Sequence, residues 1–162
     1  MKVIENIIVA QHTSISHGLP GAVLRLSGFR KGELAARQRS FEYLELLGLE
    51  TMAEMTAGTL AYGMQRRIEI ARALATGAGV ILLDEPTAGM NPQETEDMMV
   101  IIKNLQKMGK TILLIEHDMK VVMGISEHII VLDHGVKIAE GGPEEVRNDP
   151  LVIEAYLGKE VH

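Results

Sequence analysis

Val80-Ile81-Leu82-Leu83-Asp84-Glu85-Pro86-Thr87 is a short, continuous apolar run that ends in two adjacent acids. Four apolar residues without alternation read as a fully buried strand, the pattern of a parallel sheet flanked by helices. In open α/β sheets, ligands bind beyond the carboxyl ends of the strands. Successive strand residues point in opposite directions. Asp84 and Glu85 can therefore do different work there, one supporting a cation and the other facing a reacting water. Taken alone, the pair reads equally well as a strand ending at an acidic turn.

Toward the C-terminus the pattern continues as an α/β core. Asn91 is placed as an N-cap and Pro92 at the first helical position, with Gly109 beyond the end, so 92–108 is predicted to be a helix. Thr111 to Ile115 reads as a second buried strand and Met119 to Ile125 as a helix. Glu127–Leu132 and Val136–Glu140 read as strands around the turn Asp133-His134-Gly135. Two short helices follow. Pro143 opens one, with Glu144 and Glu145 in its first turn, and Asp149-Pro150 opens the other, which carries Val152, Ile153, Tyr156 and Leu157.

Toward the N-terminus, residues 1–77 contain no convincing strand. Val3, Ile4, Ile7 and Ile8 recur at helical spacing, and Ser16-His17-Gly18-Leu19-Pro20-Gly21 interrupts them. A second helix is predicted from about Lys31 to Leu47, with Leu34, Phe41, Leu44 and Leu47 on one side and Gly48 as its stop. After the turn-rich Thr56-Ala57-Gly58-Thr59, a helix from Gln65 to Thr76 places Ile68, Ala71 and Ala75 on one face and Arg66 and Arg67 elsewhere. The expected organisation is a helical subdomain over 1–77, ending in a glycine loop and its helix. An α/β core over 78–162 follows, with a parallel sheet covered by helices.

Composition narrows the function. The 162 residues are 46% hydrophobic and 23% charged, enough for a packed core. Aromatic residues are few, so the ten Met read as core filler rather than metal ligands. Sixteen basic against twenty-two acidic residues argue against nucleic-acid binding through bulk positive charge. The absence of Cys excludes a disulfide scaffold, a thiolate metal site and a Cys nucleophile. No apolar run approaches the length of a membrane span, and the start Met1-Lys2-Val3-Ile4-Glu5-Asn6 lacks a secretory apolar region.

Two further features carry chemistry. His117, in Leu113-Leu114-Ile115-Glu116-His117-Asp118, lies where the second strand should run out. There it can meet a phosphate oxygen or orient a water; the plainer reading is a capping region, with Asp118 opening the next helix. Gly63, in Leu60-Ala61-Tyr62-Gly63-Met64, feeds into a helix. The free N–H groups at a helix start bind anions, although an ordinary glycine before a helix reads the same way. His128 and His134 flank a predicted strand, and His12, His17 and His162 sit in polar contexts. None has zinc-ligand spacing, and all five read as surface residues.

The combination is more specific than its parts. Gly63-Met64-Gln65-Arg66-Arg67, then Ile81-Leu82-Leu83-Asp84-Glu85-Pro86-Thr87-Ala88-Gly89-Met90-Asn91-Pro92, then Leu114-Ile115-Glu116-His117-Asp118 resembles the ATP-binding subunits of ABC transporters over essentially the whole chain. Within that family it looks most like subunits for branched-chain amino acid uptake, through Leu60–Gly63, Arg66–Ala71, Glu116–Met123 and the ending Ile153–Gly158. The resemblance implies a P-loop-NTPase-like parallel sheet core with ATP and Mg²⁺ as cofactors. It also implies roles. Leu60, Ala61, Tyr62, Gly63 and Met64 match the signature loop, which contacts nucleotide held by a second ATP-binding subunit in a head-to-tail dimer. Asp84 matches the Walker B acid that supports Mg²⁺, and Glu85 the general base or water-positioning residue. Asn91, in Ala88-Gly89-Met90-Asn91, matches the loop that crosses the dimer interface. His117 matches the switch histidine, and Lys2–Asn6 the start of the helical subdomain that meets transmembrane permease subunits. The subunit so implied is cytoplasmic and peripheral on the inner face of the membrane.

Three departures stand against the match. The signature Ser is Ala61, and the signature Gly and Gln positions are Tyr62 and Met64. No G-x-x-x-x-G-K-[ST] loop occurs, Gly28-Phe29-Arg30-Lys31-Gly32 is no substitute, and the glutamine loop is missing. In the family these elements precede the point where this chain starts, so the expectation is the C-terminal part of an ATPase subunit, inactive alone. Three rivals share features. A lipopolysaccharide-export ATPase has similar motifs, but Ala61-Tyr62 and the Gly/Pro-broken insert at 16–32 favour the uptake type. A chromosome-maintenance or DNA-repair ATPase needs long heptads leading into the head, and none precedes Leu60. A non-catalytic remnant acting as an interaction module fits the missing phosphate loop.

Overall fold

The computed structural model describes residues 1–11 and 27–157. The interrupting stretch at 16–21 and the histidines His12, His17 and His162 lie outside them. The chain divides into two compact units, Met1–Leu114 and Ile115–His162.

In the first unit, helix α1 (Val3–Ala10) buries Val3, Ile4 and Ile7. Its first turn is fixed by the Lys2 N–H donating to Glu5 Oε2 at 2.8 Å. Helix α2 spans Ser27–Leu46. Its buried seam is Ala36, Ser40 and Leu44, with Leu47 just beyond, whereas Leu34 is 68% exposed. The apolar spacing that put Leu34 inward is overridden by a polar contact. Gln11, itself buried, donates to Ala36 O at 3.0 Å and to Ser40 Oγ at 2.7 Å, and accepts from Arg39 Nε at 3.1 Å. A buried amide left without partners costs on the order of 1–3 kcal/mol, so this network fixes which face of α2 turns inward. Gly48, at φ 66°, ends the segment in the left-handed region, as its stop role requires.

Helix α3 runs from Tyr62 to Ala75 and buries Gly63, Ile68, Ile70, Ala71, Leu74 and Ala75. α1 packs on both α2 and α3, and α2 packs on α3. The start of the chain is also tied to the turns before α3: Val3 N donates to Met55 O at 2.9 Å and Ala57 N to Met1 O at 3.1 Å.

Strand β1 (Val80–Asp84), helix α4 (Pro92–Lys107) and strand β2 (Thr111–Ile115) form a βαβ unit, with β1 and β2 neighbours in a parallel pair. α4 opens as expected, with Asn91 as N-cap and Pro92 in its first turn. It buries Met98, Ile101, Ile102 and Leu105. β1 is not covered on both faces. Its burial alternates: Ile81 and Leu83 are buried, whereas Val80 and Leu82 are 55% and 70% exposed. β2 alternates the same way, with Leu113 56% exposed. The continuous apolar run signals two covering layers, and one is present among the described residues.

The second unit holds α5 (Met119–Ile125), β3 (Ile129–Asp133), β4 (Val136–Gly141), α6 (Pro143–Arg147) and α7 (Pro150–Val152), the last running into a wide turn through Leu157. β3 and β4 pair antiparallel around His134 and Gly135, at φ 47° and 79°, a two-residue turn with both central residues left-handed. A bulge lies between Val131 and Leu132. Ile129, Val131, Val146 and Val152 form the core, with Met119, Val122 and Met123 packed against it. The methionines thus fill a core that has few aromatics.

Candidate functional site

The acids at the end of β1 sit where sequence reasoning places them. Asp84 is the last residue of the strand and is exposed, on the same face as Val80 and Leu82. Glu85 follows at φ 44°, one of two non-glycine residues with positive φ among the described residues. A left-handed backbone costs a branched-free L-residue on the order of 1–2 kcal/mol. It turns the chain sharply off the strand, with Ala88 N donating to Glu85 O at 3.2 Å and Met90 N to Thr87 O at 3.1 Å.

The glycine loop differs from expectation in one respect. α3 begins at Tyr62, with Ala61 as N-cap, so Gly63 lies inside the first helical turn and not before it. The glycine sits close against the start of α4 and is not in a left-handed conformation. A Cβ there would stand 3.4 Å from Glu94 Oε1 and 3.8 Å from Met90 Cε. Gln65 Nε2 donates to Leu60 O at 2.8 Å, which ties the loop to its own helix. The Tyr62 ring lies against Gly89, at φ 73°, and under the Arg66 guanidinium, 5.0 Å from the ring centroid. The structure therefore brings Tyr62 and Gly63 together with Gly89, Met90 and Glu94, the turn after β1 and the start of α4.

Glu94 has no role in the sequence reading, and Arg67 enters it only within the motifs and helix that cover 63–71. Glu94 completes a reciprocal cap: Asn91 Oδ1 accepts from Glu94 N, and Asn91 N donates to Glu94 Oε2, both at 3.0 Å. The N-x-x-E spacing at 91–94 is the readable signal for that cap. The oxygen of Asn91 is thus engaged in the cap, and its amide N–H₂ is the donor it can offer a ligand. Arg67 Nη2 bonds Asp97 Oδ2 at 3.0 Å. Arg67, Glu94 and Asp97 line a cleft of about 250 Å³ together with Gly63, Met64 and Met90. Gln93 first, and then Arg67, hold the Asp97 carboxyl below the ordinary carboxylate range. The Glu69 carboxylate raises the Arg66 guanidinium further still.

In the second unit, His117 is exposed, two residues past the end of β2. Asp118 Oδ1 caps α5, accepting from Lys120 N at 2.8 Å and Val121 N at 3.3 Å. The capping reading thus holds for Asp118 and leaves the His117 role open. His128 and His134 are exposed and pair with Glu140 and Asp133. Among the described residues, no cluster of three or more His, Asp or Glu could hold a metal by itself. Asp84 fits Mg²⁺ only as Mg²⁺ is ordinarily held, through one or two carboxylates with waters and substrate phosphates completing the shell.

A strand ending in two acids, a helix start packed on the following turn and a βαβ crossover define a P-loop nucleotide-hydrolase fold. The crystal structure of an ATP-binding cassette of an ABC transporter in its ADP conformation shares it, with a TM-score of 0.76 and 31% identity over 98% of this chain and 63% of that one. The ABC transporter family model matches residues 2–88, more than half of the chain, and the chain belongs to that family. A second model, branched-chain amino acid ATP-binding cassette transporter, matches residues 136–162. Two relatives are a high-affinity branched-chain amino acid transport ATP-binding protein of Pseudomonas aeruginosa (BraF), 45% identical, and one of Escherichia coli K12 (LivG), 48% identical. Each alignment covers 98% of this chain, which spans 63% of the length of either relative. A dimeric structure of a bacterial ABC transporter cassette is also similar, with a TM-score of 0.69 and 29% identity over 88% of this chain and 57% of that one. Among the described residues, no helix is long and apolar enough to cross a membrane.

Proposed function

We propose that this chain supplies the signature loop, the Walker B acids and the switch histidine of an ATP-binding subunit that energises branched-chain amino acid uptake. The observation that carries the reading is Glu85 at φ 44°, an acid held in a strained backbone at the carboxyl end of a sheet strand. Such strain, kept at a strand end beside a second acid, is of the kind that clusters at active sites. Relatives named for branched-chain amino acid transport at 45–48% identity support the substrate class.

Bound Mg²⁺ would neutralise developing charge on the transferred phosphoryl group. Asp84 is assigned to hold it through water. Glu85 is assigned to accept or orient the proton of the attacking water. His117 is assigned to the terminal phosphate. Leu60 to Met64 present the N-terminal turn of α3, whose first N–H groups lack intrahelical partners, to nucleotide on a second subunit. Ala61 offers no hydroxyl there, and Met64 no amide, so backbone N–H groups carry the contact. Asn91 is assigned to the subunit interface through its amide N–H₂. The division of work falls near residue 78, with the helical part meeting permease subunits on the cytoplasmic face of the membrane.

A non-catalytic module is the second reading, favoured by the missing phosphate-loop pattern. The two separate in one experiment. A chimera joins this chain to the part of the Pseudomonas aeruginosa relative that it does not match. The chimera is expected to hydrolyse ATP, and the 162-residue chain alone to show neither turnover nor micromolar Mg-ATP binding by calorimetry. A silent chimera that still folds and binds permease would favour the module.

A further inference from the structure

Tyr62 opens α3 and is half exposed, with its ring seated between two groups. The Arg66 guanidinium, one helical turn on, lies over the ring, 5.0 Å from its centroid. Glu69 Oε2 holds that guanidinium in turn, accepting from Nη1 at 2.8 Å. The Arg66 Nε is buried without a hydrogen-bond partner among the described residues. A buried N–H without an acceptor is unfavourable, so the negative ring face beneath the guanidinium is worth more here than at an open surface.

The same ring meets the turn after β1. A Cβ at Gly89, φ 73°, would stand 4.0 Å from Tyr62 Cε1, and apart from chain neighbours no other described atom comes that close. That turn begins at Glu85. Ala88 N donates to Glu85 O and Met90 N to Thr87 O, so 85–90 is two successive turns, with left-handed residues at 85 and 89. The Met90 methyl lies 3.8 Å from where a Gly63 Cβ would be, a second contact of the same helix start on the same turn.

We propose that Tyr62 is a positioning residue for Glu85: its ring, backed by Arg66, braces the turn 85–90 at Gly89. The proposal rests on the role assigned to Glu85 above. A residue held at φ 44° returns to an ordinary conformation unless the surrounding chain opposes it. The two turn hydrogen bonds oppose it from within 85–90, and Tyr62 opposes it from outside. Glycine at 89 suits the brace twice: it takes the left-handed φ without penalty and presents bare backbone to the ring. A glycine at 62, which the resemblance expects, has no side chain to reach the turn. This chain therefore carries a contact that a glycine in the signature loop cannot make. In this role Tyr62 acts through backbone geometry and needs no contact with the reacting atoms.

The test measures hydrogen exchange on the 162-residue chain at Ala88 and Met90, the amides whose hydrogen bonds close the turn. Tyr62→Ala should speed both at least tenfold, with the far-ultraviolet spectrum and exchange within α4 unchanged. Tyr62→Phe, which keeps the ring, should stay within about twofold of the parent. Met55→Ala, at a similarly exposed side chain elsewhere in the unit, should change neither amide. In the chimera, Tyr62→Ala should lower kcat at least tenfold and leave KM for ATP within about twofold. Where Glu85→Gln is already present, the same substitution should lower turnover by less than a further twofold, since both changes act on one group. Parent exchange rates in Tyr62→Ala overturn the proposal, and so do raised rates in Tyr62→Phe, which would assign the effect to the hydroxyl. Faster exchange spread over α3 and α4 overturns it as well, as a general loss of stability. An active chimera whose kcat withstands Tyr62→Ala, or one that loses the same tenfold with Glu85→Gln in place, also overturns it. A parent chimera without turnover counts against the proposed function instead, and the exchange rates then decide the brace alone.

Discussion

Among the described residues, two that are not glycine, Glu85 and His134, adopt the backbone conformation that glycine prefers. His134 does so in a two-residue hairpin turn, where Asn or Gly is the usual occupant. Glu85 does so at the end of a sheet strand, where no turn chemistry asks for an acid. Relieving the strain separates the two cases. His134→Asn should stabilise the fold by about 0.5 kcal/mol with turnover of the chimera unchanged. Glu85→Gly should also stabilise, by about 0.5–1 kcal/mol, the left-handed penalty less the extra chain freedom of glycine, yet abolish turnover. Urea melts and ATPase assays on both variants check this; a Glu85→Gly variant less stable than the parent would show that the acid is held by packing. His117 is exposed at a strand end, so His117→Ala should cost little stability and reduce turnover at least tenfold. The sequence places Asp84 and Glu85 at the end of the first strand and His117 just past the second, and the strands end there. It missed the strain at Glu85, because a backbone dihedral leaves no mark in residue identity when the residue is not Gly or Asn.

At the scale of elements, the start of α3 and the start of α4 are fitted to each other. Gly63 leaves room for the Glu94 carboxylate, and Glu94 closes the cap on Asn91. Gly63→Val should push that carboxylate aside and cost about 1–2 kcal/mol, near the cost of Asn91→Ala, with the two losses less than additive. Chemical denaturation of the single and double variants measures this. The Arg67–Asp97 pair joins the same helices. Because the Asp97 carboxyl is held low in the folded state, its contribution to stability is present above the ordinary carboxylate value and lost as pH falls through the lowered one. The gap between parent and Asp97→Asn denaturation midpoints should therefore stand at neutral pH and close below about pH 4. A gap independent of pH would place the effect elsewhere. Helix bounds were legible from caps and periodicity to within a few residues: Pro92, Asn91, Gly109 and Asp118 all mark ends where expected. The inward face of α2 was not, because a buried Gln11 decided it from a distant part of the chain.

At the scale of the molecule, the apolar run at 80–83 reads as a strand buried on both faces, and the structure covers one. The signal was sound as chemistry: Val80 and Leu82 suit a second layer, and Leu113 agrees with them from the neighbouring strand. Part of the helical subdomain expected to meet permease subunits, residues 12–26, lies outside the described residues. α1, next to it in sequence, exposes Val9, and Val9→Asp should release the chimera from permease-containing membranes with soluble ATPase intact if that surface couples.

The central claim is that Glu85 activates or orients the attacking water of an ATPase. The direct measurement is ATP binding and steady-state hydrolysis by the chimera carrying Glu85→Gln, which keeps the shape of the side chain and removes its basicity. The account predicts unchanged ATP affinity and turnover lowered by about 10²–10⁴-fold. Turnover at the parent rate would contradict it and leave Glu85 as no more than the acid that ends a strand.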